Sequence, residues 1–161
     1  MLDEVIRGFL LERWLGVLER QTGDPLTALQ RMLRERVAQL TPHEAELGCP
    51  LNNLGQEMSP LDREFRQRVS ATFELWIDGF TRILKRGQKE RTVRRDVDAR
   101  EVATFLVAAI EGCFGLAKSA GNQTMLQANL ETLSLFLDGL RIESQRKRSR
   151  NPQSNSRTPR R

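Results

Sequence analysis

Histidine occurs once in the 161 residues and cysteine only twice. That scarcity removes most metal and nucleophile chemistry. His43 has no second histidine or cysteine at ligand spacing, so no zinc site is expected there. Cys49 and Cys113 do not form a C-x-x-C pair and are expected to be free thiols. There is no phosphate loop, dinucleotide fingerprint or HExxH helix. No metal, cofactor or enzymatic activity is therefore expected. Long apolar runs are also missing. The charge-free core stretch that starts at Val102 stops at Glu111, which reads as too short to span a bilayer. The N-terminus MLDEVIRG is acidic where a secretory signal is basic, so a cytoplasmic protein is expected.

Charge is present but unevenly placed. Residues 141–161 carry eight of the 26 basic residues and one of the 21 acidic ones, which leaves the preceding 140 at net −2. The segment RKRSRNPQSNSRTPRR has no aliphatic or aromatic residue. It cannot bury enough surface to offset its ordering entropy, so residues 142–161 are expected to be a disordered basic tail after a domain at 1–141.

The apolar residues recur at helical spacing throughout, and no strand pattern occurs. One helix is expected from Leu2 to about Glu19. A second starts at the Asp24-Pro25 cap and stops before Pro42. A short one follows Pro50, with His43 in the loop before it. Ser59 and Asp62 read as a capping box for a long helix from Pro60 to about Lys89. After the linker RTVRRDVD, Asp98 and Glu101 start a fifth helix, Ala99 to about Ser119, which is apolar nearly all round. Its residues Ala108, Gly112, Gly115 and Ser119 share one small-residue face. The last helix carries Leu126, Leu130, Leu133, Leu137 and Leu140 at the spacing of a bundle seam, with Leu135 on its opposite side. The fold is expected to be all-α, a single six-helix domain. The last two helices hold more apolar face than one domain needs, so they are expected to form a four-helix bundle with a second copy, a homodimer.

Two clusters are candidates for function. In GCPLNNLGQE, Cys49 sits at the start of a short helix. A helix N-terminus lowers a thiol pKa, which would make Cys49 reactive, but no orienting partner points to catalysis. A wall residue is the preferred reading. Phe73, Trp76 and Phe80 follow on the long helix, and Asn52 and Asn53 are near in sequence. Apolar walls with a few polar groups suit a small apolar molecule. Glu44 and Glu46 read as solvated.

The run GCPLNNLGQE…SPLDREFRQRV…W, then D-x-D-A-R-E-VATFLVAAIEGCFGLAK, then a leucine-rich last helix, resembles the C-terminal regulatory domain of TetR/AcrR-type bacterial transcriptional regulators. The resemblance covers about residues 1–141. It implies an all-α domain that binds an effector and dimerises. By position, it places Cys49, Asn53 and Trp76 at the pocket and Ala108, Gly112, Leu133 and Leu137 near the dimer seam. Arg91 stands where many relatives have glycine, and Gly55 where alanine is common. Such regulators carry an N-terminal helix-turn-helix head, which is expected to be absent here, making the chain a truncated or atypical regulator without sequence-specific DNA binding of its own. The alternative is a helical homodimeric interaction module whose basic tail contacts nucleic acid or anionic membrane without sequence preference.

Overall fold

The structure, a computed structural model, describes residues 23–142. The expected Leu2–Glu19 helix and the basic tail lie outside the described residues. Six helices are described: α1 Pro25–Ala38, α2 Pro42–Leu47, α3 Pro50–Met58, α4 Arg63–Lys89, α5 Ala99–Ala120 and α6 Gln123–Gly139.

Their starts follow local chemistry. Asp24, Asp62, Asp98 and Asn122 each accept hydrogen bonds from the exposed amides of the first turn, as N-cap residues do. Prolines open α1, α2 and α3, where a missing N–H costs nothing. Two expectations need correction. His43 is helical, because Thr41 and Glu44 cap each other's amides and nucleate α2. The long helix starts at Arg63 rather than Pro60, because Asp62 itself is the cap.

Helix α5 is the centre of the domain and packs on α4, α6 and α2. Ala103, Leu106 and Ile110 are buried on it, in one core with Leu26, Leu29 and Met32 of α1, Phe80 and Leu84 of α4, and Leu126 and Leu137 of α6. Each such aliphatic or aromatic side chain contributes about 1.5–3 kcal/mol on burial. By length and composition α5 would also cross a bilayer, with a mean hydropathy of 1.5 over 18 residues. The charge-free run alone understated it. In this fold its apolar side instead packs on its neighbours, with Glu111 buried among them.

The two ends of the described segment are tied together. Arg141 is 8% exposed. It pairs with Asp24 and Asp138 and donates to Thr27 Oγ1 at 3.0 Å and Gln30 Oε1 at 3.3 Å. Gln30 Nε2 donates in turn to Ser134 O at 2.9 Å and Asp138 Oδ1 at 3.0 Å. The α4–α5 linker closes just beside this network. The Thr92 and Val93 amides donate to Gly87 O, and the Arg94 amide donates to Leu140 O at 2.8 Å. A Cβ on Gly87 would collide with Val93 Cγ2 and lie 2.8 Å from Pro25 Cγ, so the linker can return only over glycine. Arg91 takes the left-handed conformation at φ 58° in the same turn.

Two substitutions separate these effects. Gly87→Ala should destabilise the fold by about 1–3 kcal/mol through overpacking. Arg91→Gly should stabilise it by about 1 kcal/mol, because glycine carries no left-handed penalty. Urea unfolding of the two variants against the parent chain reads both signs, and a stabilised Gly87→Ala would contradict the tight return.

Candidate functional site

A cavity of about 120 Å³ lies between the end of α1, the α2–α3 corner, α4 and α5. Arg36 and Leu40 come from the first wall, Glu44, Leu47, Gly48, Cys49 and Pro50 from the corner, Trp76 from α4, and Glu111 and Phe114 from α5. The corner holds its shape for identifiable reasons. Gly48 turns at φ 71°, and a Cβ there would press on Lys118 Cδ at 3.1 Å. Asn53 Nδ2 donates to Leu47 O at 2.8 Å, and its Oδ1 accepts from Lys118 Nζ at 3.1 Å, which pins the corner to α5. A larger open groove of about 580 Å³ runs along the linker beside Arg141. Arg94 and Arg141 in its walls already pair with Asp96, Asp24 and Asp138, so it is a weaker candidate.

Of the residues expected at a pocket, the cavity brings together Cys49 and Trp76. The other four lie elsewhere. Asn52 accepts from Gln56 on its own helix, and Asn53 braces the corner. Phe73 packs at the α3–α4 contact, within 4.0 Å of the position a Cβ on Gly55 would take. Phe80 is core, 1% exposed, edge-on behind Trp76 with ring centroids 5.9 Å apart. Phe73, Trp76 and Phe80 share one broad face of α4, but α3 covers the first and the core encloses the last, so only Trp76 reaches the cavity.

The residue that sequence reasoning passed over is Glu111. It is 6% exposed, and its Oε2 has no hydrogen-bond partner among the described residues. Burial raises its carboxyl to about 7, although the neighbouring Cys49 thiol donates toward it and lowers it somewhat. The signal was present in the sequence: Glu111 is the one charge in the apolar run of α5. Glu44 is likewise not a solvated bystander, since it closes the α2 capping box and walls the cavity. Cys49 lines the cavity, and its place at a helix N-terminus does not lower its thiol pKa. Burial and then the Glu111 charge push its thiol up to about 12, against the pull of the first-turn amides of α3.

The second expected site divides differently from its expected list. Leu126, Leu130, Leu133 and Leu137 are 0%, 5%, 6% and 0% exposed within one chain. They pack α6 into its own domain and leave no seam for a partner. The face of α5 and α6 that is exposed carries other residues. Phe105, Ala108, Gly112 and Leu116 line α5, and Met125, Leu135 and Phe136 line α6. Phe105 and Phe136 meet across the two helices with ring centroids 5.0 Å apart. A Cβ on Gly112 or Gly115 would touch nothing within 4 Å, so no packing inside the chain accounts for these helical glycines.

The Tetracyclin repressor-like, C-terminal domain matches residues 25–133. The chain is similar to the HTH-type transcriptional repressor DhaR of Mycobacterium sp. (strain GP1), 27% identical over 138 residues, covering 83% of this chain and 66% of that protein. It thus spans just under two-thirds of that relative's length. Two solved structures share the fold. The regulatory protein TetR from Rhodobacter sphaeroides superposes with a TM-score of 0.72 at 22% identity, covering 83% of this chain and 70% of that one. A TetR transcriptional regulator from Chloroflexus aurantiacus J-10-FL gives 0.69 at 23% identity, covering 84% and 67%.

Glu111 makes stability pH-dependent with a defined sign. An acid whose folded pKa is raised stabilises most below its unfolded value and loses that contribution as pH rises through the folded one. Between pH 5 and pH 8 the chain should lose about 2–3 kcal/mol relative to Glu111→Gln, which cannot ionise. Chemical denaturation of both proteins at the two pH values measures it, and a parallel pH response would refute the assignment. The Cys49 thiol supplies a second check. At pH 8, iodoacetamide should modify it at least about 100-fold more slowly in the folded chain than in urea. Equal rates would mean an ionised, accessible thiol.

Proposed function

Because the chain belongs to the tetracycline-repressor-like transcriptional regulators, we propose that residues 25–142 form the part of such a regulator that senses a small molecule and pairs two copies of the chain. One observation carries this reading. The two sides of α5 serve different surfaces: Glu111 and Phe114 wall the cavity, while Phe105, Ala108, Gly112 and Leu116 form an exposed apolar face. At 100° per residue Phe114 lies opposite this face, and Glu111 lies on its flank, about 60° from Ala108. A molecule entering the cavity displaces the same rigid element that meets the partner.

The apolar face is the kind of surface that a soluble chain covers in an isologous contact. Gly112 at its middle lets a facing helix approach closely. The relative's name as an HTH-type transcriptional repressor supports a whole protein that blocks transcription. A ligand that binds one arrangement of the pair better than the other shifts the balance between them.

Light scattering of the 161-residue chain at micromolar concentration should give twice its 18.5 kDa. Gly112→Trp should give a folded monomer, since the new side chain meets open space in its own chain and a clash only in the pair. Leu133→Asp should act differently: it buries an unpaired charge in the protomer and should abolish cooperative unfolding rather than merely dissociate the pair. A parent chain of 18.5 kDa would overturn the pairing.

A further inference from the structure

We propose that the cavity recognises a small molecule by a hydrogen-bond donor, an N–H or O–H group, placed on Glu111 Oε2, with the rest of the molecule apolar against Trp76 and Phe114. This rests on the sensing function and specifies the ligand class of the same cavity. It departs from a purely apolar effector.

The argument starts from an unmet group. A buried carboxyl oxygen without a partner is costly, and native structures leave few of them. Glu111 Oε2 is such an oxygen on the cavity wall. The weak Cys49 thiol donor beside it does not replace an N–H or O–H. A ligand donor placed there satisfies a buried acceptor, so the contact discriminates strongly. The size of the cavity sets the rest. An apolar cavity of roughly 150 Å³ accommodates benzene, so about 120 Å³ selects a ligand of about four to six non-hydrogen atoms. Ring and aliphatic carbon come from Phe114 on the same helix, Trp76 on α4 and Leu40 after α1. Arg36 and Glu44 are the other charged residues of the wall. Arg36 is the group an anionic ligand would choose, and Glu111 the group a donor would choose. The buried, unmet acceptor favours the donor.

Four probes of one size decide the matter on the full chain at pH 8, above the value of about 7 at which the Glu111 carboxyl gives up its proton: 1-butanol, n-butylamine, diethyl ether and butanoate. Binding is read from Trp76 fluorescence in a Trp14→Phe background and from the rise in melting temperature by mass action. Butanol and butylamine should bind at least about tenfold more tightly than the ether, the scale of a hydrogen bond to a charged or buried acceptor. Glu111→Leu should erase that preference. Glu111→Gln, which keeps a carbonyl acceptor, should retain the alcohol and lose the amine. If the ether or butanoate binds as tightly as butanol, or if Glu111→Leu keeps the preference, the cavity senses ligands without Glu111 and the proposal falls alone. If none of the four binds saturably at millimolar concentration, the sensing function falls with it. Should Glu111→Leu fail to fold, the ranking of probes on the parent chain and on Glu111→Gln still decides.

Discussion

Helix α5 must bury one side and leave the other apolar side exposed, and the rest of the domain is arranged around that constraint. Leu106, Val107, Ile110 and Ala117 point into the core, where α1, α4 and α6 close over them. Phe105 and Leu116 stay 51% and 60% exposed on the other side. A helix apolar on all sides reads equally as a membrane span, a core element or a bundle element. What separates these readings is the set of neighbours. α4, α6 and α2 pack on α5, and the strip that they leave exposed carries Phe105, Ala108, Gly112 and Leu116.

The same helix carries the chemistry. Glu111 occupies a buried position on the wall of the cavity at the corner made by α2 and α3. A carboxyl there is expensive in its charged form and holds its proton near neutral pH. Burial, and the Glu111 charge after it, keep the Cys49 thiol protonated. The corner owes its position to small local devices: the Thr41–Glu44 capping box, the left-handed Gly48, and the Asn53–Lys118 bond. Together they hold the corner in place around the cavity.

Much of the architecture was legible in the chain because the relevant forces act over a few residues. Asp24, Asp98 and Asn122 cap whatever helix follows them, and leucine spacing announces a buried stripe. The misses have the same character. His43 looked like loop because Pro42 was taken as a stop, although proline is as good a start. Phe73 and Phe80 looked like pocket because they share a helix with Trp76, but the three side chains fan over different neighbours.

Local chemistry set the helix boundaries, the all-α class and the burial of one stripe per helix, since capping, proline geometry and helical period are read within a turn or two. Chain-wide packing settled which surface each stripe meets. The leucines of α6 are a seam in either setting; that they close on α1 and α5 of their own chain, leaving Leu135 and Phe136 outside, depends on the angle at which α6 returns through Gly121 and Asn122 and is locked by Arg141. Likewise Cys49 and Glu111, distant in sequence, acquire their raised proton affinities only through burial in the assembled domain. Desolvation belongs to the assembled interior, and no short stretch of residues carries it.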